Sequence, residues 1–76
     1  MKPETMVHMA NQIADYFASY PHDEAVDGIT DHLLKFWEPR MRRQIIGYVA
    51  DGGSGLRDLA LEAVERLGAP PEAVTL

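Results

Sequence analysis

Seventy-six residues, 46% of them hydrophobic and 25% charged, make at most one domain, apolar enough to fold but too short to bury a large core. The net charge of −5 excludes the broad basic surface that a general nucleic-acid binder, or a protein held on anionic lipid, requires. With no cysteine, neither a disulfide nor a thiolate metal site can reinforce the core, so the reducing cytoplasm is the expected compartment and self-association or a partner the expected reinforcement.

The amino-terminal sequence MKPETMVHMANQIADYF is broken by Glu4, His8, Asn11, Gln12 and Asp15, so it lacks the continuous apolar region of a signal peptide. It reads instead as a helix near 4–20, whose apolar residues Met6, Met9, Ala10, Ile13, Tyr16, Phe17 and Tyr20 recur at three-and-four spacing on one face. His8, Asn11, Gln12, Asp15 and Ser19 are expected on the opposite face. Pro21 stops this helix. Asp23 is placed to cap a second helix near 23–37, with Glu24 and Asp27 where a helix amino terminus favours negative charge. Its apolar stripe is Val26, Ile29, Leu33, Phe36 and Trp37, and it ends before Pro39 because the residue preceding a proline is driven out of the helical region.

Pro39 suits the first turn of a third helix near 39–51, with Met41, Ile45, Tyr48 and Val49 on one side. Asp51-Gly52-Gly53 offers it a left-handed C-cap. Ser54 is placed to cap a fourth helix near 55–67, whose inner face is Leu56, Leu59, Ala60, Ala63, Val64 and Leu67, and Gly68, Pro70 and Pro71 end it. Leu34 and Leu61 project away from these stripes. No strand alternation competes, and the longest apolar run, residues 45–50, is far short of the roughly 20 needed to span a bilayer. The tail 69–76 is expected to be flexible. The sequence thus predicts an all-α fold, a single helical domain over 1–76 built as a compact bundle of about four short amphipathic helices.

Three constellations invite a chemical reading. Residues 51–62 place an acid at each end of a calcium-type loop, but Gly53 and Gly55 stand where oxygen ligands are required and Leu56 where the loop needs its glycine. The same glycines lack the preceding strand and following lysine of a phosphate loop, so the segment reads as a flexible interhelical turn. Asp23, Asp27 and Asp31 lie one turn apart and read as a solvated face, with Asp31 in i,i+4 reach of Lys35. His8, His22 and His32 come from separate places, without the His-x-x-x-His spacing of a metal site or a nucleophile to activate. No catalytic, metal-ligating or cofactor-binding residue is expected in this chain.

The segment from Leu34 to Arg43 differs from the rest. Lys35, Arg40, Arg42 and Arg43 are four of the seven basic residues, with Glu38 the one acid among them. Three arginines crowd the start of a helix, where the backbone dipole disfavours positive charge, so local stability does not account for them. Arg40, Arg43, Gln44 and Gly47 share a phase opposite the Met41, Ile45 and Tyr48 stripe, and a glycine inside a helix costs roughly 1 kcal/mol relative to alanine. Close approach of another backbone would explain it. Arginine beside aromatic surface is typical of interfaces, so Phe36, Trp37, Pro39, Arg40, Arg43, Gln44 and Gly47 form the candidate partner-binding set. The competing reading makes Phe36 and Trp37 core residues and has the arginines neutralise acids of the same chain.

Met9-Ala10-Asn11-Gln12-Ile13-Ala14, then His32-Leu33-Leu34-Lys35-Phe36-Trp37-Glu38-Pro39-Arg40-Met41-Arg42, then Gly52-Gly53-Ser54-Gly55-Leu56, in this order and spacing, resemble the delta subunit of soluble NAD-dependent molybdenum formate dehydrogenases. The resemblance runs from about Val7 to Leu67. It implies a non-catalytic accessory subunit of a complex that oxidises formate to carbon dioxide and reduces NAD. The molybdenum pterin, iron–sulfur clusters and FMN would then sit in partner subunits, and the chief partner would be the large molybdenum subunit, in support of assembly, stability or cofactor maturation. Neither nucleic acid nor membrane is implied. The alternative is a free-standing helical adaptor or regulator that binds another protein or itself.

Overall fold

A computed structural model describes residues 1–68; the expectation for the tail 69–76 lies outside them. Four helices follow one another: α1 Pro3–Phe17, α2 His22–Phe36, α3 Pro39–Ala50 and α4 Asp58–Leu67. No strand occurs among the described residues, and the all-α bundle is as the periodicity predicts.

The boundaries follow local chemistry. α1 ends at Phe17, three residues before the predicted end, because Pro21 holds the chain ahead of it out of the helical region and residues 18–20 form a turn closed by Tyr20 N donating to Phe17 O at 3.0 Å. α2 begins one residue earlier than predicted. Pro21, not Asp23, is its N-cap: the Pro21 carbonyl already accepts from Ala25 N at 2.8 Å, and Asp23 and Glu24 fall inside the first turn. Trp37 is the extended C-cap of α2, and Pro39 is the first residue of α3.

α3 ends in a Schellman motif. Gly53 N donates to Tyr48 O at 3.0 Å and Gly52 N to Val49 O at 2.9 Å, with Gly52 at φ 122° in the position where glycine carries no Cβ penalty. Ser54 does not cap α4; that helix begins at Asp58 with Arg57 as its N-cap.

The core is purely apolar. Met6, Ala10 and Ala14 of α1, Val26, Ile29 and Leu33 of α2, Trp37, Ile45 of α3, and Ala60, Ala63 and Val64 of α4 are all buried, without a buried polar or charged residue among the described ones. α2 and α4 share the most extensive interface, and the alanines of α4 are what let these helices approach. Thr30 Oγ1 donates to Val26 O at 2.8 Å and reaches Ala63 O across that interface at 3.4 Å.

Candidate functional site

Two regions draw attention: the α2–α3 corner, where the predicted partner-binding residues cluster, and a groove between α1 and α2.

At the corner, Phe36 and Trp37 separate. Phe36 is 72% exposed, whereas Trp37 is 6% exposed and belongs to the core cluster. The turn that ends α2 is the cause, since the extended Trp37 backbone directs the indole inward while Phe36, last residue of the helix, stays in solvent. Trp37 therefore shapes the corner from beneath.

The arginines also divide. Arg42 Nη1 donates to Leu34 O and to Trp37 O, both at 2.9 Å, placing a positive charge on the orphan carbonyls at the negative end of α2. So one of the three arginines has a structural task within the chain, at the end of the preceding helix and not in its own. Arg40 and Arg43 are exposed and join no ion pair among the described residues. Pro39 is exposed beside them. Gln44 is partly committed, its Nε2 donating to Met1 O at 2.8 Å. A Cβ built on Gly47 would meet nothing within 4 Å, so no contact inside this chain requires a glycine there.

Two of the three acids in the α2 row are paired. Asp27 pairs with Arg66 of α4, and Asp31 with Lys35 at 3.0 Å. His22 Nε2 lies 2.8 Å from Glu62 Oε2, a second link from α2 to α4. All these groups are solvent-exposed, so each pair contributes little to stability. Among the described residues no group of three or more His, Asp or Glu side chains could hold a metal.

The turn 51–57, read from its glycines as a flexible interhelical turn, is held by side chains of α1 and α3. Asn11 Nδ2 donates to Gly55 O and Asn11 Oδ1 accepts from Arg57 N, both at 2.9 Å. Asp15 holds the Arg57 guanidinium through two contacts, at 2.6 and 3.2 Å. Tyr48 donates its hydroxyl to Ser54 O at 2.5 Å. Part of the predicted solvent face of α1 therefore clamps a distant loop. Leu61 likewise turns inward: its Cδ1 occupies the space beside Gly53, 2.5 Å from where a Cβ would stand, and the φ of 64° at Gly53 favours glycine independently. Leu34 does project outward, at 52% exposure.

The groove is the feature that the residue pattern did not single out. It opens to a volume of about 500 Å³, with Met9, Ile13, Tyr16 and Phe17 of α1 on one side, His32 of α2 on the other and Trp37 at its base. Tyr16 is 70% exposed. Aromatic pairs flank both sides, since Tyr16 meets Phe17 edge-to-face at 5.0 Å on α1 and the His32 ring lies tilted 4.7 Å from Phe36 on α2. Phe17 closes against α2 over Gly28, where any Cβ would collide with its ring. The signal in the sequence was the width of the α1 apolar stripe, broader than one buried row.

No helix among the described residues is long and apolar enough to cross a membrane. Comparison with curated proteins and with solved structures gives no match. A family model for the NADH-dependent formate dehydrogenase delta subunit, FdsD, matches residues 5–64, a span that runs from the first turn of α1 into the last turn of α4, and the chain belongs to that family.

Proposed function

We propose that this delta-subunit chain is a non-catalytic accessory component of a cytoplasmic NAD-dependent formate dehydrogenase, bound to the large subunit that holds the molybdenum pterin and supporting assembly, stability or maturation of that centre. The iron–sulfur clusters and FMN of the complex belong, in this reading, to other subunits. One observation carries it: Arg40 and Arg43 stand at the amino end of α3 without an acidic partner among the described residues. Positive charge is unfavourable at that end of a helix, and an acidic partner surface reverses the balance through bidentate guanidinium–carboxylate bonds. Gly47, with open space around it, allows a second backbone to come close on α3. Phe36 and Pro39 border this contact, and Trp37 and Gln44 hold the corner in shape.

The test is co-purification of the tagged chain with the formate dehydrogenase subunits. Arg40→Glu with Arg43→Glu leaves the isolated fold intact by circular dichroism, because neither residue enters the core, but abolishes recovery of the large subunit, since like charges now face each other. Gly47→Leu does the same by steric exclusion. Folded variants that retain the large subunit normally would move the docking face elsewhere. A wild-type chain recovered alone or only with itself would favour the free-standing adaptor.

A further inference from the structure

α1 carries two adjacent apolar rows. Met6, Ala10 and Ala14 form the row that is fully buried, and the two alanines bring the helix close to the core. Met9, Ile13 and Phe17 form the next row and are left half-buried, with Tyr16 beyond them in solvent. Across the groove stands His32, its ring tilted against the exposed Phe36.

A contiguous apolar surface of this kind on so small a protein marks a place where something else packs. A small molecule is a poor occupant, because such sites orient their ligands with placed polar groups inside an apolar pocket, and here no polar side chain is buried. Gln12 and His32 sit in the lining at the rim. A second copy is also disfavoured. Groove-to-groove contact about a twofold axis would bring two basic corners together, because Arg40 follows Trp37 by three residues and its Cα lies within about 11 Å of the groove base by chain length alone. Arg40, with Arg43 three positions further along α3, favours an occupant that carries carboxylates.

We infer that the groove between α1 and α2 receives an acidic amphipathic helix from another formate dehydrogenase subunit. Its apolar side chains, at i and i+3 or i+4, pack on Met9, Ile13 and Trp37, and its carboxylates point to Arg40 and Arg43. This rests on the accessory-subunit reading above and adds to the α3 contact a second, apolar one whose anchors are Tyr16 and Phe36.

The experiment places the photoreactive residue p-benzoylphenylalanine at position 16 or 36 of the tagged chain within the native complex, and identifies the crosslinked peptide by mass spectrometry. In parallel, recovery of the complex is measured for Tyr16→Ser with Phe36→Ser. The expected result is a crosslink to a partner segment with apolar residues at helical spacing and at least two acidic ones, and recovery reduced about ten-fold or more, as loss of interface anchors implies. Both side chains are mostly exposed, so the helical spectrum of the double variant stays unchanged, and the crosslink decides independently if it does not. A crosslink to a second copy of this chain, a crosslink to a partner segment without acidic residues, or unchanged recovery would overturn the groove assignment while leaving the accessory-subunit reading intact. If the unsubstituted chain retains no formate dehydrogenase subunit, both fall.

Discussion

Gly28 and Gly47 both lie inside helices, in α2 and α3, and the structure gives their alanine substitutions different outcomes. Each exchange gains about 1 kcal/mol of helix propensity. At Gly47 nothing stands within 4 Å of the new methyl, so the whole gain is kept. Gly47→Ala then raises the melting temperature by roughly 4–8 °C for a domain of this size. At Gly28 the methyl collides with the Phe17 ring. Either the ring swings out of its half-buried position, losing about half of the roughly 1.5–3 kcal/mol that a full phenylalanine burial provides, or α1 retreats with overpacking strain of about 1–3 kcal/mol. After the propensity gain is subtracted, the cheaper route leaves Gly28→Ala between unchanged and destabilised by about 0.5 kcal/mol, roughly 1 kcal/mol or more short of Gly47→Ala. Thermal and urea unfolding of the two variants, followed by circular dichroism, measures the difference directly. If Gly28→Ala is stabilised as much as Gly47→Ala, Phe17 does not pack on α2 and the closed end of the groove is wrongly described.

Two further outcomes follow from the polar contacts. Asn11→Ala loses both hydrogen bonds to the 51–57 turn and, after a helix-propensity gain of a few tenths, costs about 1 kcal/mol; a urea midpoint equal to wild type would contradict the clamp. Arg42→Ala uncovers the carbonyls of Leu34 and Trp37 and also costs about 1 kcal/mol, whereas Arg40→Ala stays within about 0.5 kcal/mol of wild type. Equal melting temperatures for these two arginine variants would show that the cap contributes nothing.

The helices were legible because their apolar residues recur at helical spacing and prolines and glycines punctuate them. What periodicity cannot see is the partner on the far side of a residue. Asn11 and Asp15 read as solvent-facing on α1, and they became a clamp because the glycine-rich turn presents backbone groups to Asn11 and the Arg57 guanidinium to Asp15. Trp37 read as one of the α2 stripe and proved to be the inward-turned residue after the helix, since the proline two positions on ends the helical backbone before it. Arg42 looked misplaced by the dipole of its own helix because its task concerns the end of the preceding one. The groove needed knowledge of how close α1 sits to the core, which depends on Ala10 and Ala14 meeting side chains far away in sequence.

The clamp between α1 and the 51–57 turn joins residues 44 and 46 positions apart, and the largest helix interface joins α2 to α4, the last of the four to be synthesised. Until α4 docks, the apolar faces of α1, α2 and α3 that it covers stay open. During that interval the nascent chain exposes to chaperones and to its future partner the residues that the finished bundle hides, so the timing of partner encounter, before or after α4 docks, determines which surfaces of this protein can be read.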